Sequence, residues 1–262
     1  MPLELAVVPV LALLAAAPRA APARDPAWQR IFDGRTLDGW TPKITGRKLG
    51  EDPNGMFTVQ DGAIRVSYAK GTTFGGEFGH LFWKAPLSAY RIRFEYRLRG
   101  DPLPGIEPWQ VSNSGLMFHA QAPATMRRDQ AFPVSLEFQL LGLPRPVEEP
   151  SGNICTPGTV VTIEGQRDPR HCILSSAPLL PNGRWIRAAV EVLPDGRITH
   201  FIDGKAVLHY ANPELDPEDK DAQPLIVAAR GVVQLRRGYI ALQAEGQEIE
   251  FRNIELQRLA PE

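Results

Sequence analysis

The chain has 262 residues, enough for one large β-sandwich around a single core. Its 29 Lys and Arg stand against 30 Asp and Glu, so no overall field draws in a nucleic acid or an anionic membrane, and a neutral small molecule or oligosaccharide is the expected partner. The 23 glycines and 25 prolines cut the sequence into short apolar runs, and no stretch sustains an amphipathic helix.

At the N-terminus, Leu5 to Ala17 form an apolar run too short to span a bilayer, followed by Ala21-Pro22-Ala23 before Arg24. This reads as a signal peptide, residues 1–23, although the segment before the run carries Glu4 and no Lys or Arg. Residues 24–262 then form one exported domain, periplasmic or secreted, with no membrane contact after cleavage.

Strands follow by period-two alternation. Ile92, Phe94 and Tyr96 alternate with Arg91, Arg93, Glu95 and Arg97; Leu116 and Phe118 alternate with Gly115, Met117 and His119; Leu136, Phe138 and Leu140 alternate with Ser135, Glu137 and Gln139. Later strands are expected at 188–193, 198–202, 239–244 and 249–256, with tight turns at Pro194-Asp195-Gly196 and Asp203-Gly204. Many short antiparallel strands indicate an all-β sandwich or jelly roll.

Two segments break the rhythm. Residues 141–182 are rich in Pro, Gly and Ser and hold both cysteines, Cys155 and Cys172, which pair most simply as a disulfide in an oxidising compartment. A zinc site of Cys155, His171 and Cys172 is the alternative, with adjacent His171 and Cys172 poorly spaced for it. Residues 211–224 are acidic and read as a solvated loop without the spacing of a calcium site.

If Leu136, Phe138 and Leu140 enter the core, Glu137 and Gln139 emerge together; if Leu116 and Phe118 enter it, Met117 and His119 emerge likewise. A carboxylate and an imidazole on neighbouring open strands suit proton transfer, with Glu137 as general base or ligand to a metal, and His119 as acid, orienting group or second ligand. No serine nucleophile elbow, phosphate loop or dinucleotide fingerprint is present, so no cofactor is expected beyond an optional divalent cation.

Seven fragments in one order resemble the 3-keto-disaccharide hydrolase family over about residues 28–259. They are Ile31-Phe32-Asp33-Gly34-Arg35-Thr36-Leu37-Asp38-Gly39-Trp40; Phe57 to Gly62; Tyr90 to Arg97; Asn113-Ser114-Gly115; Glu137-Phe138-Gln139; Asn182-Gly183-Arg184-Trp185; and Gly238 to Gln243, with Ile249 to Ile254 similar to the family's last strand. The resemblance implies a concanavalin-like jelly roll of two antiparallel sheets whose concave face holds sugar. It also implies a chemistry: the C3 ketone acidifies the C2 hydrogen, a base removes it, the C1 substituent leaves, and water adds.

Asn113, Ser114, Glu95, Arg97, Gln139, His200 and Gln243 are the expected substrate-binding residues. Each has a bland counterpart. Asn113 and Ser114 suit a turn or bulge, and Glu95 with Arg97 or Arg93 suits an ion pair. The facing of His200 and His80 is left open by parity, and at most one of Trp83, Trp109 and Trp185 is expected to stack on sugar. The family pattern often has Arg where this chain has His119. A non-catalytic lectin-like module is the alternative function; a conventional glucanase ranks third, because Glu137 lacks a sequence-near carboxylate partner.

Overall fold

A computed structural model describes residues 26–68 and 73–259. The signal peptide expected at 1–23 lies outside the described residues. In chain order the strands are β1 (Gln29–Arg30), β2 (Trp40–Ile44), β3 (Phe57–Gln60), β4 (Ala63–Val66), β5 (Gly79–Trp83), β6 (Tyr90–Arg99), β7 (Asn113–Ala120), β8 (Leu136–Leu141), β9 (Asn153–Cys155), β10 (Thr159–Ile163), β11 (Gln166–Asp168), β12 (Cys172–Ile173), β13 (Ile186–Val192), β14 (Arg197–Ile202), β15 (Lys205–Leu215), β16 (Tyr239–Ala244) and β17 (Glu248–Arg258).

These strands make two antiparallel sheets. One runs β11-β10-β15-β14-β13-β6-β17-β4-β3, with β1 added to β17; the other runs β12-β9-β8-β7-β16-β5-β2. The fold is all-β with one short helix, α1 (Gln223–Ala228). Residues 211–215, expected in a loop, instead complete β15, because Tyr210 and Leu215 turn into apolar packing.

Apolar side chains fill the space between the sheets. Ile92, Phe94, Tyr96 and Leu98 of β6 and Phe251 of β17 meet Leu116 and Phe118 of β7, Leu136, Phe138 and Leu140 of β8, and Leu242 of β16. Burial of such residues supplies about 25 cal/mol per Å² of apolar surface removed from water, which makes this interior the main source of stability. It also fixes strand facing, since a slip of one residue would turn every apolar side chain outward.

The Pro- and Gly-rich stretch after β8 is ordered by short strands. Cys155 of β9 and Cys172 of β12 are direct cross-strand partners joined by a disulfide, so the zinc reading is set aside. The bridge ties the two-residue β12 to the edge of the seven-stranded sheet. Among the described residues no helix is long and apolar enough to cross a membrane.

Candidate active site

The outer face of the seven-stranded sheet collects the side chains that alternate with the core set. Asn113, Gly115 and Met117 come from β7, Glu137 and Gln139 from β8, and Gln243 from β16. Gly115 pairs with Gln139, and the register that sets Leu242 opposite Leu116 carries Gln243 alongside Gly115. Continued two residues, it brings Glu245 alongside Asn113.

Above these strands lies a cavity of about 480 Å³. Its polar lining is Asn113, Glu137, Gln139, Arg145, Glu149, His171 and Glu245; Trp109, Phe132, Pro157, Leu174 and the Cys155–Cys172 bridge supply apolar walls. The 142–150 segment carries Arg145, whose guanidinium pairs with Glu149 at 2.9 Å and reaches the Trp109 carbonyl at 3.3 Å. Asn113 Nδ2 donates to that same carbonyl at 3.1 Å, so the rim tryptophan is held by two cavity residues. Gln139 Oε1 accepts from Asn153 Nδ2 at 2.9 Å, which fixes its amide.

Glu137 and Glu245 are both buried and influence each other. Burial pushes the Glu137 carboxyl up to about 8 from its ordinary 4.5. Glu245 is raised well above the ordinary range, chiefly by burial and then by the neighbouring Glu137, against the opposing charge of Arg145. Two neighbouring buried carboxyls resist ionising together, which favours a proton retained on the pair. Glu245 Oε2, Asn113 Oδ1 and Arg145 Nε are buried without a partner among the described residues. Unpaired buried polar atoms converging on one cavity are what a ligand's hydroxyl and carbonyl groups would satisfy.

The structure separates Glu137 from His119, contrary to expectation. The β7–β16 register shifts by one residue between Tyr239 and Ala241, and His119 takes a left-handed φ of 46°. This bulge breaks the alternation and turns the imidazole inward, edge-on to Tyr90 of the opposite sheet at 6.2 Å. Burial lowers the His119 ring to about 4, so it stays neutral.

Other expected residues also lie elsewhere. Glu95 and Arg97 project from the outer face of the other sheet, where Glu95 accepts from Arg252 at 2.7 Å and Arg97 donates to Glu250 at 2.5 Å. Ser114 points to the core side and donates to the Gln243 carbonyl at 2.9 Å. His200 is buried between the sheets, with Nδ1 at 2.9 Å from the Gly152 carbonyl and Nε2 at 2.7 Å from Tyr210 Oη. Trp83 packs against Trp40 in the core, and Trp185 lies against Arg97 and Arg252, leaving Trp109 at the cavity. Gln243 keeps the expected face, but it and His80 are fully buried.

Glu245 and Arg145 were not anticipated. Extending the outward parity of Gln243 by two residues reaches Glu245; Arg145 sits in a Pro-rich segment without periodicity and gave no signal. Among the described residues no group of three His, Cys, Asp or Glu side chains is placed to hold a metal ion.

Two-sheet jelly rolls occur in lectin domains, viral capsids and cupins, so the fold alone does not name the chemistry of the cleft. The chain belongs to the 3-keto-alpha-glucoside-1,2-lyase-like domain family, which it matches over residues 27–257. No functionally curated protein gives a significant match. Among solved structures, a protein from Bacillus subtilis of unknown function with a galectin-like fold is 11% identical, with a TM-score of 0.54 over 90% of this chain and 97% of that one. Two structures from Parabacteroides distasonis, provisionally described as glycosyl hydrolases, are also similar. One is 14% identical, with a TM-score of 0.52 over 89% of this chain and 100% of that one. The other is 17% identical, with a TM-score of 0.50 over 89% and 94%. At these identities the likeness concerns the fold.

Proposed function

We propose that this protein is an exported enzyme that cleaves 3-keto-glycosides by elimination and hydration. The observation that carries the reading is the buried Glu137–Glu245 pair beside Arg145 in one cavity. Glu137, once ionised, takes the C2 proton, and the electron pair passes to the C3 oxygen as an enolate. Arg145 is the cation available to offset that charge. The enolate collapses to a C1–C2 double bond as the C1–O bond breaks, and protonated Glu245 supplies the leaving oxygen with its proton. Water then adds its hydroxyl to C1 and a proton to C2, giving the free 3-keto sugar. Raised carboxyl pKa values suit both roles, since a base near the working pH and an acid that still holds its proton are needed together.

The test is release of alcohol from 3-keto-glucosides of both anomeric forms by the mature protein, compared with Glu137→Gln. Turnover by the wild type and its loss in the variant, at a Tm no lower than that of the wild type, is expected; unchanged turnover in the variant rejects the assignment. The same carboxyl pair favours a second reading, a two-carboxylate glycosidase acting on ordinary glycosides. Cleavage of unoxidised glucosides at rates comparable to the 3-keto forms would select it. Binding of both without cleavage of either would make the protein a lectin.

A further inference from the structure

The cavity is divided in polarity along the order of its strands. Glu245 follows β16, Asn113 is on β7, and Glu137 and Gln139 are on β8, while Arg145 overhangs this half. Among the residues lining the cavity, the buried atoms without partners are Glu245 Oε2, Asn113 Oδ1 and Arg145 Nε, and all three belong to this half. Beyond β8 the lining changes. There the sheet continues through β9 and β12, and the walls are the Cys155–Cys172 bridge, Pro157 and Leu174, with His171 the one polar side chain among them. Leu174 is 52% exposed at the cavity mouth, and Trp109 on the opposite side is 48% exposed. From β7 to β12 is three strand spacings, about 14 Å, wide enough for a hexose ring and a second ring side by side.

Exposed large apolar side chains at the mouth of a cleft mark an apolar ligand surface. A second sugar would bring a belt of hydroxyls to this half. Thr156, the hydroxyl beside it, already spends its Oγ1 on the His171 carbonyl at 3.1 Å. The carboxyl that faces the reacting carbons, Glu137, sits at the boundary of the two halves, directly opposite Cys155.

From this division we infer that the leaving group is an apolar aglycone, an aromatic or alicyclic alcohol, and not a second sugar. The keto-sugar ring lies over Asn113, Gln139 and Arg145, with Trp109 at its rim, and the aglycone lies on Leu174, Pro157 and the disulfide. The inference rests on the elimination chemistry proposed above for its orientation, since Glu137 must meet C2 at the boundary. His171 is the titratable group at the apolar side, and burial holds its pKa below the ordinary value, so it adds no fixed charge there.

Two 3-keto-glucosides of the same anomeric form, one with a benzyl and one with a glucosyl leaving group, separate the alternatives. Benzyl alcohol is no better a leaving group than a sugar hydroxyl, so a preference reads the pocket. The benzyl compound is expected to have kcat/KM at least about tenfold higher, the size of discrimination an apolar pocket provides. Leu174→Asn should bring the ratio of the two substrates toward one. A ratio at or below one in the wild type, or one that Leu174→Asn leaves unchanged, overturns the inference while the cleavage chemistry stands. If neither compound is cleaved the chemistry fails, and calorimetric binding of unoxidised benzyl glucoside against disaccharide decides the pocket preference by itself: tighter binding of the benzyl compound upholds it, and equal or weaker binding rejects it.

Discussion

A Cβ on Gly115 would stand 2.7 Å from Oε1 of Glu137 and 2.8 Å from its Cγ. The Glu137 side chain thus lies across β7, in the place where a side chain at residue 115 would be. The cross-strand neighbours of Gly115 are Gln139 and Gln243. Gly115 has no left-handed φ, so its absent side chain serves this close approach and no backbone strain.

Gly115→Ala should therefore displace the carboxyl while leaving the sheets intact. A misplacement on the order of 1 Å costs about 100-fold in rate. We expect kcat for a 3-keto-glucoside to fall by that order, with an overpacking penalty of roughly 1–3 kcal/mol seen in thermal unfolding. Full activity in the alanine variant would mean that the position of Glu137 is unimportant.

The pH dependence of stability should have two limbs. Burial lowers His80 to about 3 and His119 and His200 to about 4 from 6.5. The unfolded chain takes up these protons below 6.5 and the folded one refuses them, so stability complete above 6.5 is lost as pH falls toward 4. Glu137 has the opposite sign. Its folded pKa of about 8 lies above 4.5, so its contribution is complete below 4.5 and is lost as pH rises through 8. Thermal scans should find Tm highest near about pH 6. Glu137→Gln should make the alkaline limb shallower, with Glu245 supplying what remains, and leave the acid limb as it is; a variant with an unaltered alkaline limb would contradict the raised Glu137 carboxyl.

Reduction of the Cys155–Cys172 bridge releases β12 and the wall that carries Leu174. Cys172 is exposed and open to a reductant. Closing a loop of this size, with the cysteines 17 residues apart, is worth roughly 3 kcal/mol. The double Ser variant should lose about 10 °C in Tm, and kcat/KM should fall with it. An unchanged Tm would show that the bridge constrains nothing.

His119→Asn tests the separation of the two sides. Asn tolerates the left-handed backbone at the bulge, and residue 119 faces Tyr90, away from the cavity. Turnover should be unchanged. A large drop in kcat would reinstate the imidazole as a participant.

Alternation along strands was enough to place Glu137 and Gln139 on one face and to turn Gln243 from the core, because a buried opposite face fixes the register; Asn113 was singled out by the family-like Asn113-Ser114-Gly115 fragment alone. The same logic misplaced His119, since a one-residue bulge reverses parity and leaves no mark in the local sequence. Parity also says in or out without saying of which sheet. Glu95 and Arg97 do point outward as expected, but from the sheet that pairs β6 with β17, where Arg252 and Glu250 neutralise them. Arg145 belongs to a segment whose position depends on long-range contacts, among them the Ser112 Oγ bond to the Pro144 carbonyl at 2.8 Å. No spacing in the sequence reports those.

The place of β17 governs when the molecule can form. This strand, eleven residues long and the last in the chain, lies inside the ten-stranded sheet between β6 and β4, and it also receives β1. Until Glu248–Arg258 arrive, β6 and β4 have no common partner and Phe251 is missing from the interior. Pairings of such long sequence separation form slowly, because loop closure is paid before contacts repay it. A chain still short of this strand is thus a sandwich cut through the middle, with β6 and β4 each left with an unpaired edge.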